Sequence, residues 1–250
     1  MLRQLLRSRD EREERGEFVI EGPRVLAAAL DHDVEVTTVY ASAARRTHEV
    51  VRRAEARGIA VRELGPGAAE RIGDAVTPQG VFARAALRRA ALEVLDAVDV
   101  VLVADRVSDP GNAGTLVRSV AASGAGAISL GAGSVDAYNP KVVRATAGAL
   151  FAVPVIEGRP TPEVLERLGA RGLRRVGASA HGGTPIDAVD LSGRVALVVG
   201  NEVEGLRELP IDETVTIPMA PGTESLNLAM AATVLCFEAQ RQRRRAGARA

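Results

Sequence analysis

The chain has 250 residues, 46% of them hydrophobic and 2% aromatic, with 25 glycines; this suits one large domain or two small ones with an Ala/Val/Leu core, and it excludes a disordered chain. The formal net charge of +0 argues against a protein that simply coats nucleic acid, and the single cysteine, Cys236, excludes a disulfide framework or a cysteine-ligated zinc cluster, so no metal is expected. No apolar run approaches a membrane span and the charged N-terminus lacks a signal peptide's apolar core, which predicts a cytoplasmic protein with no membrane partner.

Residues 1–15 alternate Arg with Asp and Glu around Leu2, Leu5 and Leu6, which predicts a solvated helix with opposite-sign neighbours. Short β-branched or alternating runs at 18–20, 34–40, 59–64 and 81–83 predict strands. Helices are predicted between them at 24–30, 43–57 and 67–73. The alternation is α-β-α-β-α-β-α-β, small enough for a domain of its own, and the Arg-containing stretch 84–96 reads as a linker. The boundary is placed near 90, giving domains 1–90 and 91–250. His32 and His48 lack partners at ligand or triad spacing. Lys141 is the one lysine among the cations, and a coding bias toward arginine accounts for the total. Position decides individual cases: Arg24, beside a helix N-terminus, suits either a phosphate or a solvated face.

Val98 to Ala104 is the nearly continuous apolar run of a buried parallel strand. Helices at 113–123, 139–148 and 161–171 alternate with strands at 127–130, 153–156 and 176–180, and a second strand, as apolar as the first, spans 194–200. A βα repeat of this kind predicts a parallel sheet with ligand loops at the strand C-termini. Three such loops are rich in Gly or Pro and carry isolated polar side chains; they follow 104, 199 and 217. No complete G-x-G-x-x-G, Walker loop, H-E-x-x-H or G-x-S-x-G is present. In the third loop Pro218, Pro221 and Gly222 stop the strand. Glu224 or Ser225 is the predicted cap of a helix to about Gln240, with Leu226, Met230, Val234 and Phe237 at helical spacing. Ser225 and Asn227 sit at that helix start, either as a simple cap or as part of a polar ligand site.

The three loops together resemble the motifs of the SpoU/TrmH family of RNA 2′-O-ribose methyltransferases, part of the SPOUT superfamily. Asp109-Pro110-Gly111-Asn112-Ala113-Gly114-Thr115-Leu116-Val117-Arg118 is similar to the first motif. Leu197-Val198-Val199-Gly200-Asn201-Glu202-Val203-Glu204-Gly205-Leu206 is similar to the second, and Ile217-Pro218-Met219 through Ser225-Leu226-Asn227-Leu228-Ala229 to the third. The resemblance covers about 98–240, with the motifs in family order. Phe18-Val19-Ile20-Glu21-Gly22 resembles the ribosomal-protein-like RNA-binding domain that many members carry.

The resemblance implies an α/β, parallel-sheet SPOUT domain with a C-terminal trefoil knot, preceded by a small α/β RNA-binding domain. It implies a homodimer and S-adenosylmethionine as cofactor, gripped largely by backbone at Gly200, Ile217 and Leu226. It also carries over five polar positions as catalytic: Asn112, Arg118, Glu202, Ser225 and Asn227. A ribose hydroxyl is a weak nucleophile and a sulfonium methyl a strong electrophile, so alignment and a proton acceptor are what catalysis needs. A guanidinium almost never gives up its proton, so Arg118 is assigned to gripping a phosphate or orienting the hydroxyl. Glu202 would bond Asn112 or pair with Arg118, or merely complement a helix dipole. Arg144, in a segment similar to one in ribosomal RNA members, is expected to face RNA. An N-terminal RNA-binding domain favours ribosomal over transfer RNA as substrate. The alternatives are a nicotinamide-dependent α/β oxidoreductase, disfavoured by the missing third glycine, and a non-catalytic RNA-binding protein, disfavoured by the intact polar set.

Overall fold

The computed structural model describes residues 1–73, 78–201, 205–206 and 209–247. In chain order the elements are α1 (Leu2–Arg7), α2 (Arg9–Arg15), β1 (Glu17–Glu21), α3 (Pro23–Asp31), β2 (Val36–Ser42), α4 (Glu49–Ala56), β3 (Ala60–Leu64), α5 (Ala68–Ile72) and β4 (Val81–Ala86). They continue with β5 (Val100–Ala104), α6 (Pro110–Ser123), β6 (Ala127–Leu130), α7 (Pro140–Ala145), β7 (Val155–Glu157), α8 (Thr161–Ala170) and β8 (Arg174–Ala178). The last are β9 (Thr184–Pro185), β10 (Val195–Val199), β11 (Glu213–Thr216) and α9 (Leu228–Gly247). Two compact units form: Met1–Arg88 with Asp136–Ala152, and Arg89–Val135 with Val153–Ala250.

The first unit is a mixed sheet in the order β1-β4-β2-β3 with helices packed against it. The expected first helix is two helices. Ser8 leaves the helical conformation, and its hydroxyl accepts from the Glu11 N–H at 3.2 Å, so it caps α2. The break lets Leu2, Leu5 and Leu6 pack on Val19, Leu64 and Phe82 while α2 turns away. Segment 136–152, which sequence division places in the second domain, packs in this unit. The cause is aromatic: the Tyr138 and Phe151 rings lie 4.8 and 6.1 Å from the fully buried Phe18 ring. Asp136 adds a buried ion pair, accepting from Arg12 Nε at 3.1 Å. Local pattern cannot reveal a segment whose partners lie more than a hundred residues away.

The second unit is a seven-stranded, wholly parallel sheet in the order β7-β6-β5-β10-β8-β11-β9. β5 and β10 are buried along their full lengths, as their uninterrupted apolar sequences require. The chain lays β5, β6 and β7 toward one edge, crosses to β8, and later inserts β10 between β5 and β8. On α9 the buried residues are Ala229, Ala232, Leu235, Cys236 and Ala239. The larger apolar residues at helical spacing face outward instead: Leu226, Met230, Val234 and Phe237 are 37%, 60%, 39% and 41% exposed. Three of the five inward residues are alanines, on a helix that lies against α6, although Leu235 is buried there too. Burial pushes the Cys236 thiol up to about 12, so this cysteine is an inert packing residue.

Candidate active site

The parallel registers place three loops on one edge of the sheet. Val199 stands level with Ala104 on one side and Ala178 on the other, and Ala178 is level with Val215. The loops after β5, β10 and β11 therefore leave from the same edge, the C-terminal one where α/β proteins hold ligands. Asp105 opens the first loop by donating its N–H to the Val199 carbonyl at 3.0 Å.

Asp109 then starts α6. Its carboxylate accepts the Asn112 N–H at 2.7 Å, and Pro110 fills the first helical turn, where a missing N–H costs nothing. Asn112 is held in that first turn, half-buried. From the third loop the Asn227 side chain does two things. Its Oδ1 accepts the N–H groups of Ala229 (2.9 Å) and Met230 (3.3 Å), which caps α9, and its Nδ2 donates to Asn112 Oδ1 at 3.0 Å. The cap is thus Asn227, two or three residues beyond the Glu224 or Ser225 expected from sequence. Cap and site turn out to be the same side chain, because the Asn amide has an acceptor for the helix and a donor left over. About two turns further on, Ser119 of α6 and Thr233 of α9 share a hydroxyl hydrogen bond of 2.6 Å, so the two helices are clamped together.

Arg118 lies next to Ser119 on the exposed face of α6 and forms no ion pair or hydrogen bond among the described residues. Ser225 is exposed in the third loop, and Glu202 lies outside the described residues. The structure therefore brings Asn112 and Asn227 into contact and leaves Arg118 and Ser225 open to solvent.

The backbone positions divide. Gly200 was expected to be glycine so that a ligand could approach. A Cβ there would also overlap the carbonyl of Gly205, because the chain doubles back with Gly205 N–H donating to Asn201 O at 2.9 Å. Glycine is required by the turn itself. Ile217 is half-buried and Leu226 exposed. Within 217–226 the Thr223 N–H to Ala220 O bond (3.2 Å) is the only backbone–backbone bond among described residues. That leaves amide and carbonyl groups, flanked by apolar side chains, for a polar ligand with an aromatic base, and S-adenosylmethionine fits this character.

Sequence reasoning missed Asp105 and Thr161. Asp105 is 5% exposed at the end of β5; its carboxylate accepts from Thr161 Oγ1 at 2.5 Å and from Arg106 Nε at 2.9 Å. Arg106 takes a left-handed φ of 49°, uncommon for a non-glycine residue. A charged residue ending an otherwise apolar buried strand was the available signal. In the first unit Arg24 is exposed near the start of α3. Arg144, expected to face RNA, is instead committed to Glu21: Arg144 Nη1 donates to Glu21 Oε2 at 2.7 Å, and the Glu21 side chain is 1% exposed. A carboxylate that deeply buried requires a cation partner.

Comparison with known proteins gives two family matches. The SpoU rRNA Methylase family model matches residues 99–237, and that of an MRM3-like substrate binding domain matches residues 2–83. A 23S rRNA (guanosine(2553)-2′-O)-methyltransferase, RlmP, of Bacillus subtilis is 32% identical over 93% of this chain and 92% of its own length. A 23S rRNA (uridine(2479)-2′-O)-methyltransferase of Streptomyces viridochromogenes is 33% identical over 96% of this chain and 88% of its own. Among solved structures, the SpoU methyltransferase AviRb of Streptomyces viridochromogenes in complex with AdoMet superposes with a TM-score of 0.87 at 30% identity, covering 97% of this chain and 96% of that one.

Proposed function

The chain belongs to the SpoU rRNA methylase family, and we propose that it transfers a methyl group from S-adenosylmethionine to a ribose 2′-hydroxyl of structured RNA, ribosomal RNA rather than transfer RNA. The observation that carries this reading is the Asn227–Asn112 hydrogen bond, which ties the first and third loops together on the C-terminal sheet edge. The 23S rRNA named for the relatives and the match at residues 2–83 support the ribosomal substrate.

The cofactor supplies an electrophilic methyl group, so the protein's residues need only hold, orient and deprotonate. Backbone groups near Gly200, Ile217 and Leu226 hold the cofactor. Asn112 and Asn227 fix the two loops that frame the hydroxyl. Arg118, exposed and unpaired among the described residues, grips a target phosphate or orients the hydroxyl through its fork of donors. Ser225 and Glu202 complete the polar set, and the proton leaves through phosphate or water. Arg24 contacts RNA from the first unit, with Arg144 acting indirectly by anchoring Glu21 at the end of β1.

A trefoil knot accords with the late insertion of β10 between β5 and β8. The outward stripe of Leu226, Met230, Val234 and Phe237 is suited to a second copy of the chain, making a homodimer. A cytoplasmic setting follows from the substrate, and among the described residues no helix is long and apolar enough to cross a membrane. Calorimetry with S-adenosylmethionine, followed by mapping of ribose methylation on transcribed 23S rRNA, tests the proposal. Micromolar binding and a new 2′-O-methyl mark are expected; tight NAD binding with no S-adenosylmethionine binding would overturn it.

A further inference from the structure

The break between α1 and α2 has an electrostatic result. In a continuous helix Arg7 and Glu11 would be i,i+4 neighbours and neutralise each other. Ser8 instead adopts φ −115° and ψ 126°, and Glu11 pairs with Arg15 at 2.9 Å. Arg12 turns inward to Asp136 and to the Leu5 carbonyl (2.6 Å). All three arginines of α2 are thereby paired with carboxylates, whereas α1, Leu-Arg-Gln-Leu-Leu-Arg, holds no acid at all.

Arg3 and Arg7 are exposed one turn apart, an unfavourable like-charge spacing, and neither forms an ion pair among the described residues. Other arginines are engaged, Arg53 with Asp31, Arg167 and Arg171 with Asp96, Arg194 and Arg243 with Asp99; Arg3 and Arg7 stand apart by sharing one face of a helix that holds no acid. Arg3 and Arg7 line one open groove of about 510 Å³ with Gln4, Ser8 and Glu11. Leu2, Leu5 and Leu6 are buried beneath, so the pair is held on a fixed platform.

We infer that the outer face of α1 is a phosphate-contact surface, on which Arg3 and Arg7 grip successive backbone phosphates of the substrate RNA. This rests on the ribosomal RNA reading given above and extends it to a surface outside the methyl-transfer site. Two planar guanidinium forks one helical turn apart suit phosphate oxygens, which they bind bidentately and without reading sequence. An RNA strand supplies such anions in series.

The test compares wild type, Arg3→Gln/Arg7→Gln, and the control Arg9→Gln, whose arginine is paired with Glu13. Binding to transcribed 23S rRNA is measured from 50 to 200 mM salt. Removing two phosphate contacts lowers the slope of log affinity against log salt by about 1.5–2, so wild type loses about tenfold more affinity than the double variant over that range. KM for RNA rises while kcat and S-adenosylmethionine affinity stay at wild-type values, and Arg9→Gln behaves as wild type. An unchanged slope and KM in the double variant, with wild type binding and methylating the RNA, overturns the α1 surface alone. If wild type neither binds nor methylates ribosomal RNA, the function reading falls and takes this surface with it.

Discussion

Asn227 offers a sharp test of the site, because one side chain performs two separable tasks. Asn227→Ala removes the cap on α9 and the donor to Asn112. Loss of a cap costs about 1 kcal/mol, which for a chain of this size lowers Tm by about 3 °C. Asn227→Ser keeps a capping oxygen on a side chain too short to reach Asn112, so its Tm stays within about 1 °C of wild type. The lost side-chain hydrogen bond is worth about 1 kcal/mol, which corresponds to a roughly fivefold fall in kcat/KM for methyl transfer in both variants. A double-mutant cycle with Asn112→Ala isolates the pair: the double variant should lose about fivefold less than the product of the single losses. Thermal melts and single-turnover methylation give both quantities. If Asn227→Ser retains the wild-type rate, or the two single losses simply multiply, the bond does not organise the site and the argument built on it is wrong.

Arg118→Ala should leave Tm unchanged, since no described carboxylate loses a partner, while methylation falls by about 100-fold or more; wild-type turnover would remove Arg118 from the machinery. Gly200→Ala should both destabilise the protein and abolish S-adenosylmethionine binding by calorimetry, because the added Cβ meets the Gly205 carbonyl rather than open space. Arg144→Ala strands the buried Glu21 carboxylate, and a loss of about 3 kcal/mol in denaturant melts is expected; a purely RNA-binding arginine would leave stability untouched. The side-chain hydrogen bond from Arg175 holds the Asp212 carboxyl down at about 2, below its usual 3.8. A depressed folded value stabilises the protein above the unfolded value and the effect fades as pH falls. The stability gap between wild type and Arg175→Gln should therefore close between pH 4 and pH 2; a gap independent of pH would show that the pair contributes by packing alone.

Local pattern carried a large part of the architecture. β5 and β10 are legible because a strand buried on both faces must be apolar throughout, and the three ligand loops are legible because Gly and Pro clusters must stop such strands. The polar set came from the motif resemblance; of its members, Asn112 and Asn227 meet across 115 positions of sequence. The orientation of α9 was not legible: periodicity locates an apolar stripe, but only the close approach of α6 decides that the alanines face inward and Met230 and Phe237 outward. The Arg144–Glu21 pair was hidden for a similar reason, since nothing near Arg144 in sequence announces the buried Glu21.

The sequence by itself determined most of the elements, the α/β class and, through the resemblance of its three loops, the family, because these depend on residues that are close along the chain. The tertiary structure alone decided that 136–152 packs around Phe18, that Gly200 serves its own turn, that Asn227 is at once cap and clamp, and that α1 is left with uncompensated charge. The packing around Phe18 and the Asn227 clamp depend on partners more than a hundred residues away, while the Gly200 turn and the break at Ser8 are local but show only in the folded backbone; in each case the energy of burying or pairing a group belongs to the contact, not to either residue alone.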